Sequence, residues 1–244
     1  MKQTLMKIII FQLLSFFAFN SYAQNLTWDY PIKPGTEKWK SYQNTPDIVR
    51  DLQMPEKLLK SINTKELLEI CLKYPFLRNY TASDSPYQGM NGVINSFNGF
   101  KELTERKDIS INMIEYYKTK RISEIEVIDS KGGFTFDYCA FELLLCSDNI
   151  MSKFSNEERI FLLKLLMKKL NEKAGYDMYF GDFGKMTSAF VANKFAIVLG
   201  KKETKSDDKM QSSKNLFADK MIMSDLKVVD LILSDVTTFV QTLK

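Results

Sequence analysis

Apolar residues recur at helical spacing along most of the chain. After Asn63, an N-cap with Glu66 three residues on, the set Leu67, Leu68, Ile70, Cys71, Leu72 and Tyr74 follows a 3.6-residue period up to Pro75. Thr45-Pro46 opens an earlier helix with a cap and a proline at the first helical position. Ser155-Asn156-Glu157-Glu158 is a capping box ahead of IFLLKLLMKKLNEKAG, which closes on basic residues and Gly175. The same reading predicts helices over 88–106, over 110–121 behind Asp108, over 136–146, and over 185–199 before Gly200. A last helix runs from about residue 214 towards the C-terminus. IEVID and FTFDY around Gly132-Gly133 could pair as a hairpin, but FDYCAFELLLC has the better helical spacing.

Start signals at Thr45, Asn63, Ser85, Asp108, Gly133, Ser155, Gly184 and Ser206 are 18 to 29 residues apart. Two such intervals make a helix–turn–helix unit of about 45 residues, the length of HEAT-like or armadillo-like pairs. The expected fold is therefore all-α: stacked antiparallel helical hairpins, as a HEAT/armadillo-like array or an irregular helical bundle. KKETKSDDKMQSSK, residues 201–214, reads as a charged loop.

The N-terminus has a different pattern. Lys2 and Lys7 precede the apolar run IIIFQLLSFFAF, and Ser21-Tyr22-Ala23 supplies small residues where signal peptidase cuts. The run is shorter than the ~20 residues a membrane-crossing helix needs. Residues 1–23 are thus expected to be a signal peptide, removed after Ala23, leaving an exported, periplasmic or extracellular chain. Residues 24–44 read as an extended arm with Trp28, Tyr30 and Trp39 on the surface, and residues 45–244 as one helical domain. Removing Lys2 and Lys7 takes the basic residues from 34 to 32 against 30 acids, a net charge near +2. That balance gives no reason to expect nucleic acid as a partner.

Cys71, Cys139 and Cys146 are the only cysteines. Seven residues along one helix would separate the last two by about 10 Å, too far for a disulfide. A bridge from Cys71 to one of them is open to an exported protein, but three is an odd count, and the favoured expectation is that all three pack as small apolar groups. The chain has no histidine, which excludes Ser-His-Asp and Cys-His catalysis and His-ligated zinc. No cofactor and no metal ligand set is expected: Asp129 and Asp137 lack EF-hand spacing, and Lys131-Gly132-Gly133 lacks the phosphate-loop frame.

YPFLRNYTASDSPYQGMNGVINSFNGF, residues 74–100, reads as a connector plugged into the core, since Met90, Val93, Ile94, Phe97 and Phe100 share a helical face. Tyr80 and Tyr87 fit no buried face and are candidate surface contacts. MPEKLLKSINTKELLEICLKYPFL followed by FNGFKELTERKD resembles a group of secreted proteins, of no assigned activity, from Gram-negative gut-dwelling bacteria. The resemblance spans residues 39–121 and implies an exported helical protein, with no functional residue to transfer.

The favoured function is a non-enzymatic binding or scaffold protein contacting a protein or glycan of the cell envelope through Tyr80, Tyr87, Tyr176, Tyr179 and Phe183. GYDMYFGDFGKM, read as a loop between two helices, offers the alternative: Asp177 and Asp182, with Glu142 on its apolar helix, as acids of a polysaccharide hydrolase. Glu142 is expected on the solvent edge of that helix, and Lys164, Lys168, Lys169 and Lys173 on a solvated face.

Overall fold

The computed structural model describes residues 28–202, 206–223 and 225–243. The expected signal peptide lies outside the described residues. The chain is all-α, its helices packed against one another, with no strand among the described residues.

Helix starts follow the capping signals. In the first half, α1 (Glu37–Lys40), α2 (Thr45–Asp51), α3 (Glu56–Ser61) and α4 (Thr64–Leu72) precede a 3₁₀ turn (Leu77–Ala82). There follow α5 (Pro86–Ser96), α6 (Asn98–Glu105) and α7 (Ile109–Thr119). The side chains of Asn44, Asn63 and Ser85 accept from the backbone amides of Asp47, Glu66 and Gln88, three residues on in each case. After a second 3₁₀ turn (Ile122–Glu126) come α8 (Lys131–Leu145), α9 (Asp148–Met151) and α10 (Asn156–Ala174). The chain ends in α11 (Asp177–Val198), α12 (Asp208–Lys220) and α13 (Leu226–Thr242). The Ser155–Glu158 capping box is formed at the start of α10.

The connector at 74–100 builds the first-half core. Tyr74 stacks on Phe97 with centroids 4.6 Å apart, and Phe100 meets both rings edge-on. Tyr80 and Tyr87, expected at the surface, are 0% and 6% exposed. Tyr80 donates its hydroxyl to the Phe136 carbonyl at 2.8 Å, and Tyr87 reaches Asp148 at 3.2 Å. Each ring therefore ties the connector to the second half, a role that single-helix periodicity does not reveal.

The second half is organised around α11. Gly175 and Tyr176 join it to α10 as a hairpin, and α8 lies along its other side. Contacts from Thr135 to Tyr179 and from Glu142 to Ser188 advance together along both chains, so α8 and α11 run parallel. The three thiols are buried and free.

Several segments differ from expectation, each for a specific reason. The 88–106 helix breaks because Phe97 is extended and the Asn98 side chain exchanges two hydrogen bonds with the Met54 backbone, at 2.9 and 2.8 Å. The expected 175–186 loop is instead the start of α11, bent at Gly181, whose φ of +46° only glycine holds without strain. The 201–214 segment supplies the Asp207 cap and first turns of α12. That helix stops where the Ser85 hydroxyl donates to the Lys220 carbonyl and Met221 turns left-handed. The N-terminal arm, expected to carry surface aromatics, buries Tyr30, which donates to the Ile70 carbonyl at 2.9 Å; Trp28 and Trp39 pack half-buried on the core.

This core sets the response to alkali. Burial raises the thiols of Cys71, Cys139 and Cys146 and the phenols of Tyr30, Tyr80, Tyr117 and Tyr138, with Cys139 pushed up to about 12 from an ordinary 9.0. Above pH ~9 the unfolded chain releases protons that the folded chain keeps, so these groups stabilise fully below that pH and lose their contribution as it rises, about 1.4 kcal/mol per unit for each titrating group. Lys169, lowered by burial, works in the opposite sense but is one group against seven. We expect Tm to fall steeply between pH 9 and 11, measured by circular dichroism; a Tm that holds across that range contradicts this balance.

Candidate functional site

Glu142, expected on a solvent edge, is completely buried on α8. Its Oε1 accepts from the Tyr117 hydroxyl at 2.6 Å, and its Oε2 from Lys173 Nζ at 2.7 Å and the Ser188 hydroxyl at 3.0 Å. Lys173 Nζ also reaches Ser188 Oγ at 2.8 Å and lies over the Tyr138 and Phe180 rings. Lys169, one turn before Lys173 and like it expected on a solvated face, is buried and donates to the Lys120 carbonyl at 2.6 Å. Only Lys164 and Lys168 of the basic run remain exposed.

A serine hydroxyl against a lysine amine is the pairing of Ser-Lys nucleophilic enzymes. Here the amine is ion-paired to a carboxylate, and Ser188, Lys173 and Glu142 are 1%, 2% and 0% exposed. A substrate cannot touch them. The cluster is a structural pin between α7, α8, α10 and α11. The Tyr138 hydroxyl lies buried beside that of Tyr117, without a well-aligned hydrogen bond to any described group.

The accessible chemistry lies on another face, in a groove of two adjoining chambers. The larger, ≈ 700 Å³, runs between the N-terminal arm and α4, with Trp28, Tyr30, Lys33 and Glu66 on its walls. The smaller, ≈ 360 Å³, opens between α4, α7 and the first turns of α8, over Tyr116, Phe134 and Phe141. Glu69, Leu72, Lys73, Arg78 and Asp137 line both. The divider is an ion pair: Arg78 Nε and Nη2 meet Asp137 Oδ1 and Oδ2 at 2.7 and 2.8 Å, a planar two-bond fork.

Each chamber has a half-buried aromatic ring, Trp28 in the larger and Tyr116 in the smaller. Burial pushes the Tyr116 phenol up to about 12, so it is a neutral donor at ordinary pH. The hydrogen bonds that Arg78 donates to Asp137 raise its guanidinium above the ordinary value. Lys33 is held by Asp29 at 2.7 Å, and Lys120 by Glu124 at 2.8 Å while lying over Phe134. Among the described residues, Lys73 makes no ion pair.

No family model, no curated protein and no solved structure matches this chain.

The residues singled out in the sequence are dispersed. Tyr176 caps the approach to α11 and donates to Glu126 at 2.9 Å; Tyr179 covers the Lys131 ammonium at 5.4 Å; Phe183 stacks on Tyr80 and meets Phe136. With the exposed Met178 they make an aromatic knuckle beside the first turn of α8, and none of them lines either chamber. Asp177 and Asp182 are exposed on α11, and Glu142 is enclosed behind Lys173. These three acids do not face one another across a cleft, so the hydrolase reading loses the residues it named. No group of three or more acidic or thiol side chains able to hold a metal ion is found among the described residues.

The groove residues Trp28, Lys73, Arg78, Tyr116 and Lys120 were not singled out. They come from three separate stretches, around Trp28, Lys73–Arg78 and Tyr116–Lys120, and the Arg78–Asp137 fork joins positions 59 residues apart. No spacing rule within one helix could have assembled them.

Proposed function

We propose that this chain is an exported, non-enzymatic binding protein that contacts a glycan or protein of the cell envelope through the two-chamber groove. The observation that carries the reading is the groove: two recesses, each with an accessible ring, joined across a charged divider. Export rests on the Lys2–Ala23 signal pattern. No helix among the described residues is long and apolar enough to cross a membrane, which is compatible with that reading.

A glycan fits the groove better than a peptide. Extended peptides bind by adding to a strand edge, which the described residues lack, and a docked amphipathic helix needs an apolar trough. This rim instead carries Lys33, Glu66, Glu69, Lys73, Arg78 and Asp137. Sugar rings lay apolar faces on aromatics and offer hydroxyls to such charged groups.

The test is a glycan array followed by calorimetry with Trp28→Ala and Tyr116→Ala. Binding of at least one envelope glycan is expected, weakened about three- to tenfold by each change, the range of one aromatic contact. Absence of binding to every glycan, or binding indifferent to both changes, overturns the proposal.

A further inference from the structure

We infer that the smaller chamber is a carboxylate subsite, so that the ligand is an acidic glycan whose uronate group seats against Arg78. This rests on the glycan reading and adds to it the charge of the ligand.

The four ionisable residues shared by the chambers, Glu69, Lys73, Arg78 and Asp137, cancel in formal charge. The larger chamber adds Asp29 and Glu66 against Lys33, for a formal −1; the smaller adds only Lys120, whose charge Glu124 balances at 2.8 Å, so this chamber carries no net negative charge. The smaller chamber also adjoins the N-terminus of α8 at Ser130, whose side chain makes no capping bond to the helix amides. That helix has fifteen residues, and its dipole adds positive potential on the same side. The sign favours an anion in the smaller chamber and disfavours one in the larger.

Arg78 narrows the anion to a carboxylate. Its Nε–Nη2 edge already holds one, the Asp137 side chain, in a planar fork. The two side chains are 52% and 43% exposed, so the pair is a surface ion pair, cheap to exchange. A uronate can take the place of Asp137 on that edge, with the Lys73 ammonium, which has no ion-pair partner among the described residues, lining the same chamber. A single planar guanidinium edge matches the two oxygens of one carboxylate better than a doubly charged tetrahedral phosphate. The neutral part of the sugar chain then continues past the divider towards Trp28.

Calorimetry with an oligogalacturonate and a neutral galacto-oligosaccharide of equal length tests this, with inorganic phosphate as a third arm. We expect the acidic chain to bind about tenfold tighter than the neutral one, with the gap closing in high salt. Arg78→Gln should erase the preference, whereas Asp137→Asn should strengthen acidic binding several-fold by freeing the guanidinium. Both changes break the same ion pair, so a merely structural role would move them together; thermal melts of both variants confirm folding. Equal binding of acidic and neutral chains, loss of affinity in Asp137→Asn, or phosphate competing as well as the uronate overturns the subsite. Binding of neutral chains that Trp28→Ala weakens would leave the glycan reading standing while the subsite falls. Binding of neither chain, with no other array glycan bound, removes the glycan reading itself.

Discussion

Replacing Glu142 by glutamine is expected to cost about 3–5 kcal/mol of stability, because it leaves the Lys173 ammonium buried without its counter-charge. For a chain of this size that lowers Tm by about 10 °C or more. Lys173→Met should cost a comparable amount by stranding the carboxylate, although Tyr117 and Ser188 still donate to it. The double variant is the informative one. With Glu142→Gln and Lys173→Met together neither charge of the pair is left stranded, and the glutamine can still accept from Tyr117. Its stability should therefore exceed that of either single variant, a coupling measurable by urea melts of all four proteins. Additive losses, or single losses below about 1 kcal/mol, would show that the pair is not desolvated as the geometry implies.

The second large effect is expected at Gly89. This residue begins the contact of α5 with the first 3₁₀ turn, and a Cβ placed there would sit 2.3 Å from the Tyr80 carbonyl oxygen and 2.9 Å from its Cα. The obstacle is backbone, which cannot rotate aside. Gly89→Ala should cost about 3 kcal/mol, at the upper end for overpacking. It should also push Tyr80 off the Phe136 carbonyl and slacken the adjoining Arg78–Asp137 fork. Gly92→Ala, in the same helix with open space around it, is the control and should leave Tm unchanged or slightly raised. Equal melts for the two variants would refute the close approach.

What the sequence made legible follows from the range of the interactions concerned. Helix starts at Asn63, Ser85 and Ser155 depend on bonds three residues long, and they were readable. So was the all-α class, which rests on spacing within segments. Breaks at Phe97 and Lys220 were hidden because partners 44 and 135 residues away impose them. Glu142 and Lys173 were misplaced for the same reason: each looks like a solvated charge on its own helix, and only the packing of α8 on α10 and α11 makes them a pair. The candidate site was the least legible of all. Tyr80 and Tyr87 drew notice as unplaced aromatics, yet they are fastenings, while the groove is assembled from side chains that look ordinary where they stand.

The docking of the arm through the Tyr30 hydroxyl has a consequence for how the groove comes into being. One wall of the larger recess is a strap of a few residues, fastened to α4 by that tyrosine and by the ring packing of Trp28 and Tyr30. The cleft is thus completed by chain that belongs to no long helix. Whatever trims or pulls this strap opens the larger recess and bares the rings of Tyr74 and Phe97, against which Tyr30 packs.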